Sequence, residues 1–381
     1  MKYDDNKILL VANCYWYINN FRLDLVKKLK IAGYKVIVLA PRDSYKHIVK
    51  EYVDEVIDWK LIRGSMNPFS EIVSIFKLIF LLRSIRPKLI HFFTIKPCLY
   101  GGLASKIIGH RKVIKHITGI GPSFFGFNKR IRTIFYLLYP IYKYSFSGNA
   151  KFIFHNNNDR QIFIAKKFCR EENSCTIEGS GVDLNYFNNK IIRKKYFKPI
   201  QILFPARVIR EKGFIDLFEA CKDLWEENYD FQLNVAGDID KDNPSSLNLK
   251  EIKTISLNKN VNFYGKIDDM RVIYSKNDIV ILPSWREGLS KALIEAAAMS
   301  LPIITSDVPG CKEIIEHEKN GILVPSKNKS MLKKAIIKLI ENPHLGYKYG
   351  SRGVEIVRKK FEVGYINNQI FQVYEEILSG T

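Results

Sequence analysis

The stretch Lys7–Ala40 reads KILLVANCYWYINNFRLDLVKKLKIAGYKVIVLA. Lys7–Ala12 and Lys35–Ala40 are short apolar runs with β-branched members, and Pro41 stops the second. Between them Phe21, Leu23, Leu25, Val26, Leu29 and Ile31 recur near helical spacing, which predicts a helix over Phe21–Ala32. Gly33 stands where a helix C-cap belongs. A strand, a helix and a second strand form the unit of a parallel sheet. Unbroken apolar runs, rather than alternation, predict strands covered on both faces.

The same alternation extends outward. Glu55–Trp59, Leu89–Phe93, Lys112–Ile117 and Phe152–His155 read as strands, and Phe69–Ile85 as a helix. A polar, basic stretch without period, Asn185–Pro199, follows and has the composition of a linker. Strands are then predicted at Ile200–Pro205, Phe231–Ala236, Val261–Tyr264, Ile279–Pro283, Pro302–Ser306 and Gly321–Val324. Helices are predicted at Gly213–Glu226, Met270–Lys276, Lys291–Met299, Lys329–Glu341 and Tyr365–Leu378. A chain of 381 residues is the length of two ordinary domains. The expected division is 1–190, with 363–381 packing back on it, and 191–362. Two such units leave a cleft between them, and ligands of open α/β sheets bind beyond the C-terminal ends of strands.

Composition narrows the function. Sixty Lys and Arg against 39 Asp and Glu give a net charge of +21. Residues 1–190 hold 31 basic and 14 acidic side chains, so most of the excess lies there. Between Leu61 and Ala150 the single acid is Glu71. A field of one sign implies an anionic partner, such as nucleic acid, an anionic membrane or a phosphorylated substrate. Six cysteines without a C-x-x-C pair suggest neither a zinc ribbon nor a thiol redox site, and fit a reducing cytoplasm. No signal peptide or membrane-spanning run is expected.

Two motifs carry chemistry. After the strand Ile279–Pro283 the chain reads SWREGLSKALIEAAAMSLPIITSDVPG. Glu287 falls on the strand-to-helix loop and Glu295 about two turns into the helix, eight positions on. The helix start offers free N–H groups to an anion, although an acid there also suits the helix dipole. After the first strand of the second half comes FPARVIREKGFIDL. Arg207 and Lys212 lie on a loop ahead of a helix, followed by Gly213. A guanidinium fork with an ammonium point charge suits a diphosphate, and two solvated surface cations are the competing reading.

Together these motifs resemble the family-4 retaining glycosyltransferases of GT-B fold, which are two Rossmann-like α/β domains facing across a cleft with a C-terminal helix crossing back to the first. Glu287 and Glu295 are similar to its E-x7-E motif, and Arg207, Lys212 and Gly213 to its R-x4-K-G motif. GSGVDLNYF (Gly179–Phe187) resembles its N-G-V-D-x-x-x-F segment, and VAGDID (Val235–Asp240) and FYGKI (Phe263–Ile267) fall where it has G-x-G and F-x-G. RGSMNPF (Arg63–Phe69), FFTIKPCLYG (Phe92–Gly101) and ITGIGPSF (Ile117–Phe124) resemble bacterial members that build capsule, O-antigen or protein N-glycans on a polyprenyl diphosphate.

The resemblance implies a retaining transfer from a UDP-sugar, with an N-acetylhexosamine such as GalNAc as the favoured donor, to a polyprenyl-diphosphate-linked saccharide. It implies catalytic roles for Arg207, Lys212 and Glu287, the cations on the leaving diphosphate and Glu287 on donor-sugar hydroxyls. It places Glu295 on the ribose and Gly288, Leu289 and Ser290 on phosphate or sugar oxygens. No metal or other cofactor is implied; the UDP-sugar is a co-substrate. Asn19, Arg22, Lys96 and Thr118 are the candidates on the acceptor side. Phe69–Arg83 and Asn128–Ser147 are aromatic and basic, as an interfacial helix on anionic lipid would be, or a core helix with a solvated basic edge. The expected location is the cytoplasmic membrane face, as a peripheral protein.

Departures from the family pattern accompany the match. The T-x-H-G context of many members is KHITGIG here (Lys115–Gly121), with Thr118 at the family's His position and His116 two residues early. His116 is therefore expected to be a buried or capping residue. The first loop, VANCYWYINNFR, has no glycine. His91 ends a strand, where it either packs or reaches the ligand edge, and Asn156–Asn158 suit turn chemistry. Nucleic-acid binding is not expected, because zinc-finger spacing, an RNP-like aromatic motif and bZIP heptads are all missing. A nicotinamide dehydrogenase would need G-x-G-x-x-G after the first strand. A sugar-nucleotide epimerase or a phosphorylase of the same shape is the remaining alternative.

Overall fold

A computed structural model describes residues 4–61, 67–120, 129–188, 199–240 and 245–379. The chain divides into two compact units, Met1–Ser180 with Gly364–Thr381, and Gly181–Val363. The linker residues 189–198, Arg63–Met66 of the RGSMNPF segment and Gly121–Phe124 of the ITGIGPSF segment lie outside the described residues.

The first unit runs β1 (Asp4–Val11), α1 (Tyr15–Phe21), α2 (Leu23–Ile31), β2 (Lys35–Ala40), α3 (Lys46–Lys50), β3 (Glu55–Asp58) and α4 (Pro68–Ile85). It continues with β4 (Pro87–Phe93), α5 (Ile95–Ile108), β5 (Val113–Ile117), α6 (Lys129–Phe146), β6 (Lys151–Phe154), α7 (Asn157–Ala165) and β7 (Ser174–Thr176). The second unit holds β8 (Ile200–Phe204), α8 (Phe214–Glu226), β9 (Phe231–Ala236), α9 (Leu249–Ser256), β10 (Val261–Gly265), α10 (Met270–Ser275) and β11 (Ile279–Leu282). Next come α11 (Lys291–Ala298), β12 (Ile303–Ser306), β13 (Gly321–Val324), α12 (Lys329–Glu341) and α13 (Pro343–Lys360), and α14 (Val363–Ser379) ends the chain.

Each unit is one parallel sheet, ordered β3-β2-β1-β4-β5-β6-β7 in the first and β10-β9-β8-β11-β12-β13 in the second. The sequence order reverses between β1 and β4 and again between β8 and β11, the switch points at which such sheets accept ligands. Both faces are buried, as the apolar runs imply. One face of the first sheet packs Leu9, Phe92 and Phe152, and the other packs Ile8, Leu10 and Ile153 with Ile366, Ile370 and Tyr374 of α14. The segment from Gly181 goes with the second unit because Val182 pairs with Phe361 and Val363 through backbone hydrogen bonds.

Several elements differ from the periodicity reading. The helix expected over Phe21–Ala32 is α2, and a separate helix, α1, precedes it, divided from it at Arg22, whose backbone is not helical. α5, α7 and α13 were not legible. α5 carries Gly101 and Gly102 pressed against Phe92 and Ser145, and it is buried on several sides, which erases an amphipathic pattern. α13 is polar and contains Gly346, Gly350 and Gly353, a weak helix composition rescued by close packing of Gly350 on the Ser300 carbonyl. The Asn run resolves as a cap, with Asn156 accepting from the Asp159 N–H at 2.8 Å to start α7.

On α4, Leu78, Ile79, Leu82 and Ile85 face the core, while Phe69, Ile72, Phe76 and Phe80 stand exposed on one side at spacings of three, four and four. Tyr136, Leu137, Ile141 and Tyr144 of α6 are exposed as well. Among the described residues no helix is long and apolar enough to cross a membrane.

Lys115 in β5 is the anomaly of the core. It is buried, donates from Nζ to the Ser145 carbonyl at 2.6 Å and lies over the Phe146 and Phe152 rings. Burial depresses its pKa to about 7, with Lys106 adding to the fall and Cys98 and Cys169 opposing it. The unfolded chain keeps that proton up to 10.5, so wild-type stability should rise as pH climbs from 7 towards 10.5. Urea unfolding should find Lys115→Met more stable at pH 7 by about 4 kcal/mol less the roughly 1 kcal/mol of the lost hydrogen bond to Ser145, the gain closing towards pH 10.5.

Candidate active site

In the second unit the loops after β8 and β11 meet at the switch point. Arg207 follows β8 and Lys212 ends a short 3-10 turn, Arg210–Lys212. Glu287 lies on the loop that leaves β11 for α11. Lys212 Nζ reaches Glu287 Oε1 at 2.5 Å, and Ser284 Oγ donates to the same oxygen at 2.8 Å. The pair is mostly shielded, so its attraction is little screened by water. Arg207, half-exposed, pairs with Asp240 of the VAGDID segment.

Two glycines allow this approach. Gly213 takes a positive φ of 74°, and a Cβ there would lie 2.0 Å from the Pro283 carbonyl oxygen. Gly310 (φ 85°) backs directly on Glu287, where a Cβ would come within 2.6 Å of its backbone. Glu287 and Ser290 donate their N–H groups to the Pro309 and Gly310 carbonyls at 3.3 and 3.1 Å, so the β12 exit loop shapes the β11 exit loop. Trp285 braces the arrangement, its N–H on the Glu211 carbonyl and its indole N–H on Asp216 at 2.7 Å. Ser290 caps α11 by position without a side-chain bond, while Gly288 and Leu289 are half-buried on the same loop.

Glu295 is buried on α11. Burial raises its pKa, against the pull of Lys291 at 3.7 Å and the Tyr274 hydroxyl, which donates at 3.3 Å. A shielded carboxylate with one weak ion pair retains capacity for further hydroxyl donors. Tyr274, Ser284 and Gly310 were missed in the sequence, since a Tyr on a short helix and a Ser or Gly on a loop carry no periodic signal.

The first-unit candidates stand on different elements. Asn19 is half-buried on α1 and Thr118 half-buried after β5. Lys96, in the first turn of α5, has its charge matched by Glu71 of α4 at 2.8 Å, and Tyr100 also donates to that carboxylate. Arg22 is buried among His116, His155 and Tyr17. His91 and His116 are both fully buried; His91 packs rather than reaching the strand edge. His155 and Tyr374 had not been singled out, because one is the last residue of a strand-like run and the other is 219 positions further along.

Comparison with known proteins fits both halves. Residues 7–156 match the glycosyl transferase 4-like model and residues 187–355 the glycosyl transferases group 1 model. The chain is a glycosyltransferase. It is 25% identical over 372 residues to the N,N'-diacetylbacillosaminyl-diphospho-undecaprenol alpha-1,3-N-acetylgalactosaminyltransferase of Campylobacter jejuni, covering 95% of this chain and 96% of that one. It is 24% identical to the capsular polysaccharide biosynthesis glycosyltransferase CapM of Staphylococcus aureus, over 87% of each chain. A glycosyltransferase of Rickettsia africae shares its fold with a TM-score of 0.77 at 21% identity over the full length of both. Anabaena HepE, solved with UDP and glucose, superposes with a TM-score of 0.74 at 20% identity, covering 97% and 99%. The two-sheet GT-B architecture is thus that of this chain.

The glycosyltransferase should show the cost of its buried carboxylate. Glu295 has a folded pKa above its unfolded value near 4.5, so its contribution to stability is complete below that pH and is lost as pH rises through the folded value. Glu295→Gln is expected to unfold at higher urea than wild type at pH 7 and at the same urea below pH 4.5.

Proposed function

We propose that this glycosyltransferase moves a sugar with retention from a UDP-sugar to a polyprenyl-diphosphate-linked saccharide in the assembly of a bacterial surface polysaccharide or glycan. The donor is an N-acetylhexosamine, such as GalNAc, transferred in α linkage. The relative from Campylobacter jejuni, matched along its whole length, supports the acceptor class and the sugar. The observation that carries the chemistry is the shielded Lys212–Glu287 ion pair at the second switch point.

Before the donor binds, Glu287 is the counter-charge of Lys212. The donor diphosphate replaces it, which frees Glu287 to accept from donor-sugar hydroxyls. Arg207 turns from Asp240 to the same diphosphate. As the glycosidic bond breaks, negative charge grows on the leaving phosphate, and two cations already in place stabilise it without reorganising. They supply the charge that a metal would otherwise bring. The leaving phosphate takes the acceptor hydroxyl's proton on the same face, which preserves the anomeric configuration. Glu295 accepts from the ribose hydroxyls, and the loop Gly288–Leu289–Ser290 holds phosphate or sugar oxygens at the start of α11.

In this reading the unit containing 1–180 binds the acceptor and Gly181–Val363 binds the nucleotide sugar. The acceptor is a lipid, so the first unit must approach a membrane. Phe69 (81% exposed), Phe76 (66%) and Phe80 (72%) form an apolar strip within a field of basic residues, suited to the anionic inner face of the cell membrane.

Two experiments test these assignments. Thermal unfolding with UDP, GDP, ADP and several UDP-sugars should show a raised midpoint for UDP and for one UDP-N-acetylhexosamine. Glu295→Ala and Lys212→Ala should each weaken UDP about 10- to 100-fold, the loss of hydrogen bonds to charged groups. A panel without any nucleotide response would overturn the transferase donor assignment. Separately, co-sedimentation with phosphatidylglycerol vesicles should fall at least about tenfold in a Phe76→Asp, Phe80→Asp variant, since each buried Phe is worth roughly 1.5–3 kcal/mol.

A further inference from the structure

Arg22 is 1% exposed, and its guanidinium lies 5.0 Å from the Phe93 ring centroid at the end of β4. Its Nε donates to the Tyr17 hydroxyl at 3.0 Å, and Nη2 contacts Nε2 of His116 at 3.3 Å and Nε2 of His155 at 3.1 Å. A guanidinium can only donate, so both Nε2 atoms accept. Each of these rings therefore carries its proton on Nδ1. His116 Nδ1 then donates to His91 Nε2 at 3.2 Å, which leaves the His91 proton on Nδ1, donating to the Tyr374 hydroxyl of α14 at 2.6 Å. One permanent charge thus fixes the tautomers of three histidines and the direction of a chain that ends on the C-terminal helix. Burial, helped by Arg22, holds all three rings well below the usual imidazole range, so they are neutral.

The whole cluster therefore carries a single charge. Every hydrogen-bond partner of Arg22 is neutral, and among the described residues no carboxylate pairs with it. Its Nη1, with two N–H groups, is buried and has no partner among the described residues. The Thr94 hydroxyl, directly after Phe93, is likewise buried without a partner among the described residues. A buried charge lacking a counter-ion is costly, and unmade donor bonds add to that cost. The location is informative too: Arg22 closes α1, the element after β1, and stacks on the end of β4, so it stands at the switch point of the first sheet. At the matching point of the second sheet the cation has a carboxylate partner.

We propose that Arg22 anchors a second phosphate-binding subsite, on the first unit, in which Nη1 donates to an oxygen of a phosphoryl group. The His116–His91–Tyr374 chain and His155 are positioning residues that hold the guanidinium plane. The Tyr17 ring lies 5.7 Å from the guanidinium and stacks on Phe21 at 5.2 Å, and entry of a phosphoryl oxygen requires the side chains around Nη1 to part. The assignment rests on the reading above of two phosphate-bearing substrates, of which either the lipid diphosphate or the nucleotide could supply the phosphoryl group.

The test uses the full chain with Arg207→Ala and Lys212→Ala, which removes the donor-side cations, at an ionic strength that screens loose surface attraction. Inorganic pyrophosphate, UDP and geranylgeranyl diphosphate in detergent are titrated by calorimetry. Pyrophosphate is expected to bind this background and to lose at least tenfold in affinity when Arg22→Met is added. Retained binding of geranylgeranyl diphosphate, but not UDP, assigns the subsite to the lipid substrate; the converse assigns it to the nucleotide. No binding in the background, or binding unchanged by Arg22→Met, overturns the proposal. If Arg22→Met does not fold, histidine-¹⁵N NMR of the background protein decides: three Nδ1–H rings, two of them shifted by pyrophosphate, support the subsite, and unmoved ring signals overturn it. Failure of UDP to bind the wild type would sink the donor assignment while leaving this outcome readable.

Discussion

A parallel strand with helices on both sides has no wet face, and this constraint organises each unit of the chain. Polar side chains have room chiefly where strands end, so the charged residues of interest cluster on the loops that leave β8 and β11 and beside the ends of β1 and β4. Where the constraint is broken, in β5, two adjacent polar residues go to opposite sides: Lys115 to the Ser145 carbonyl near α6 and His116 to the Arg22 cluster. Neither pairs with a carboxylate among the described residues. Their charge is managed by proton loss from the histidine, by a depressed pKa for the lysine and by aromatic faces.

The two switch points handle positive charge differently. In the second unit Lys212 and Arg207 each have an acid, Glu287 and Asp240. The close approach of these loops depends on glycines: Gly213 against Pro283 and Gly310 against Glu287 let two loops run with backbone nearly touching backbone. In the first unit Arg22 is held by neutral acceptors, and the orientation of those acceptors is transmitted through His116 and His91 to Tyr374 on α14. That gives the last helix a role beyond covering the sheet, because it completes a hydrogen-bond chain that starts 352 positions earlier at Arg22.

The class of fold, the strand runs and the E-x7-E and R-x4-K-G motifs were legible in the sequence because they are local. Apolar runs of four to six residues report burial on both faces, and the residues of each motif lie close together in the chain, within one strand-to-helix segment. Elements whose stability comes from packing were not legible. α5 and α13 contain glycines that a helix in isolation would not favour, and neighbours that the sequence does not name hold them. Arg22 shows the limit best. Its position at the edge of a periodic helical stretch concealed the boundary between two helices, and its neighbours His116 and His155 are 94 and 133 residues away.

By itself, then, the sequence determined two parallel α/β units, a basic first half, and two carboxylates and two cations at motif spacing beyond strand ends. Those properties follow from composition and near-neighbour spacing, which survive without three-dimensional information. Only the tertiary structure decided which charges are paired, which are buried and which histidine nitrogen carries a proton. Those depend on distances between residues brought together by sheet order, and no linear pattern encodes them.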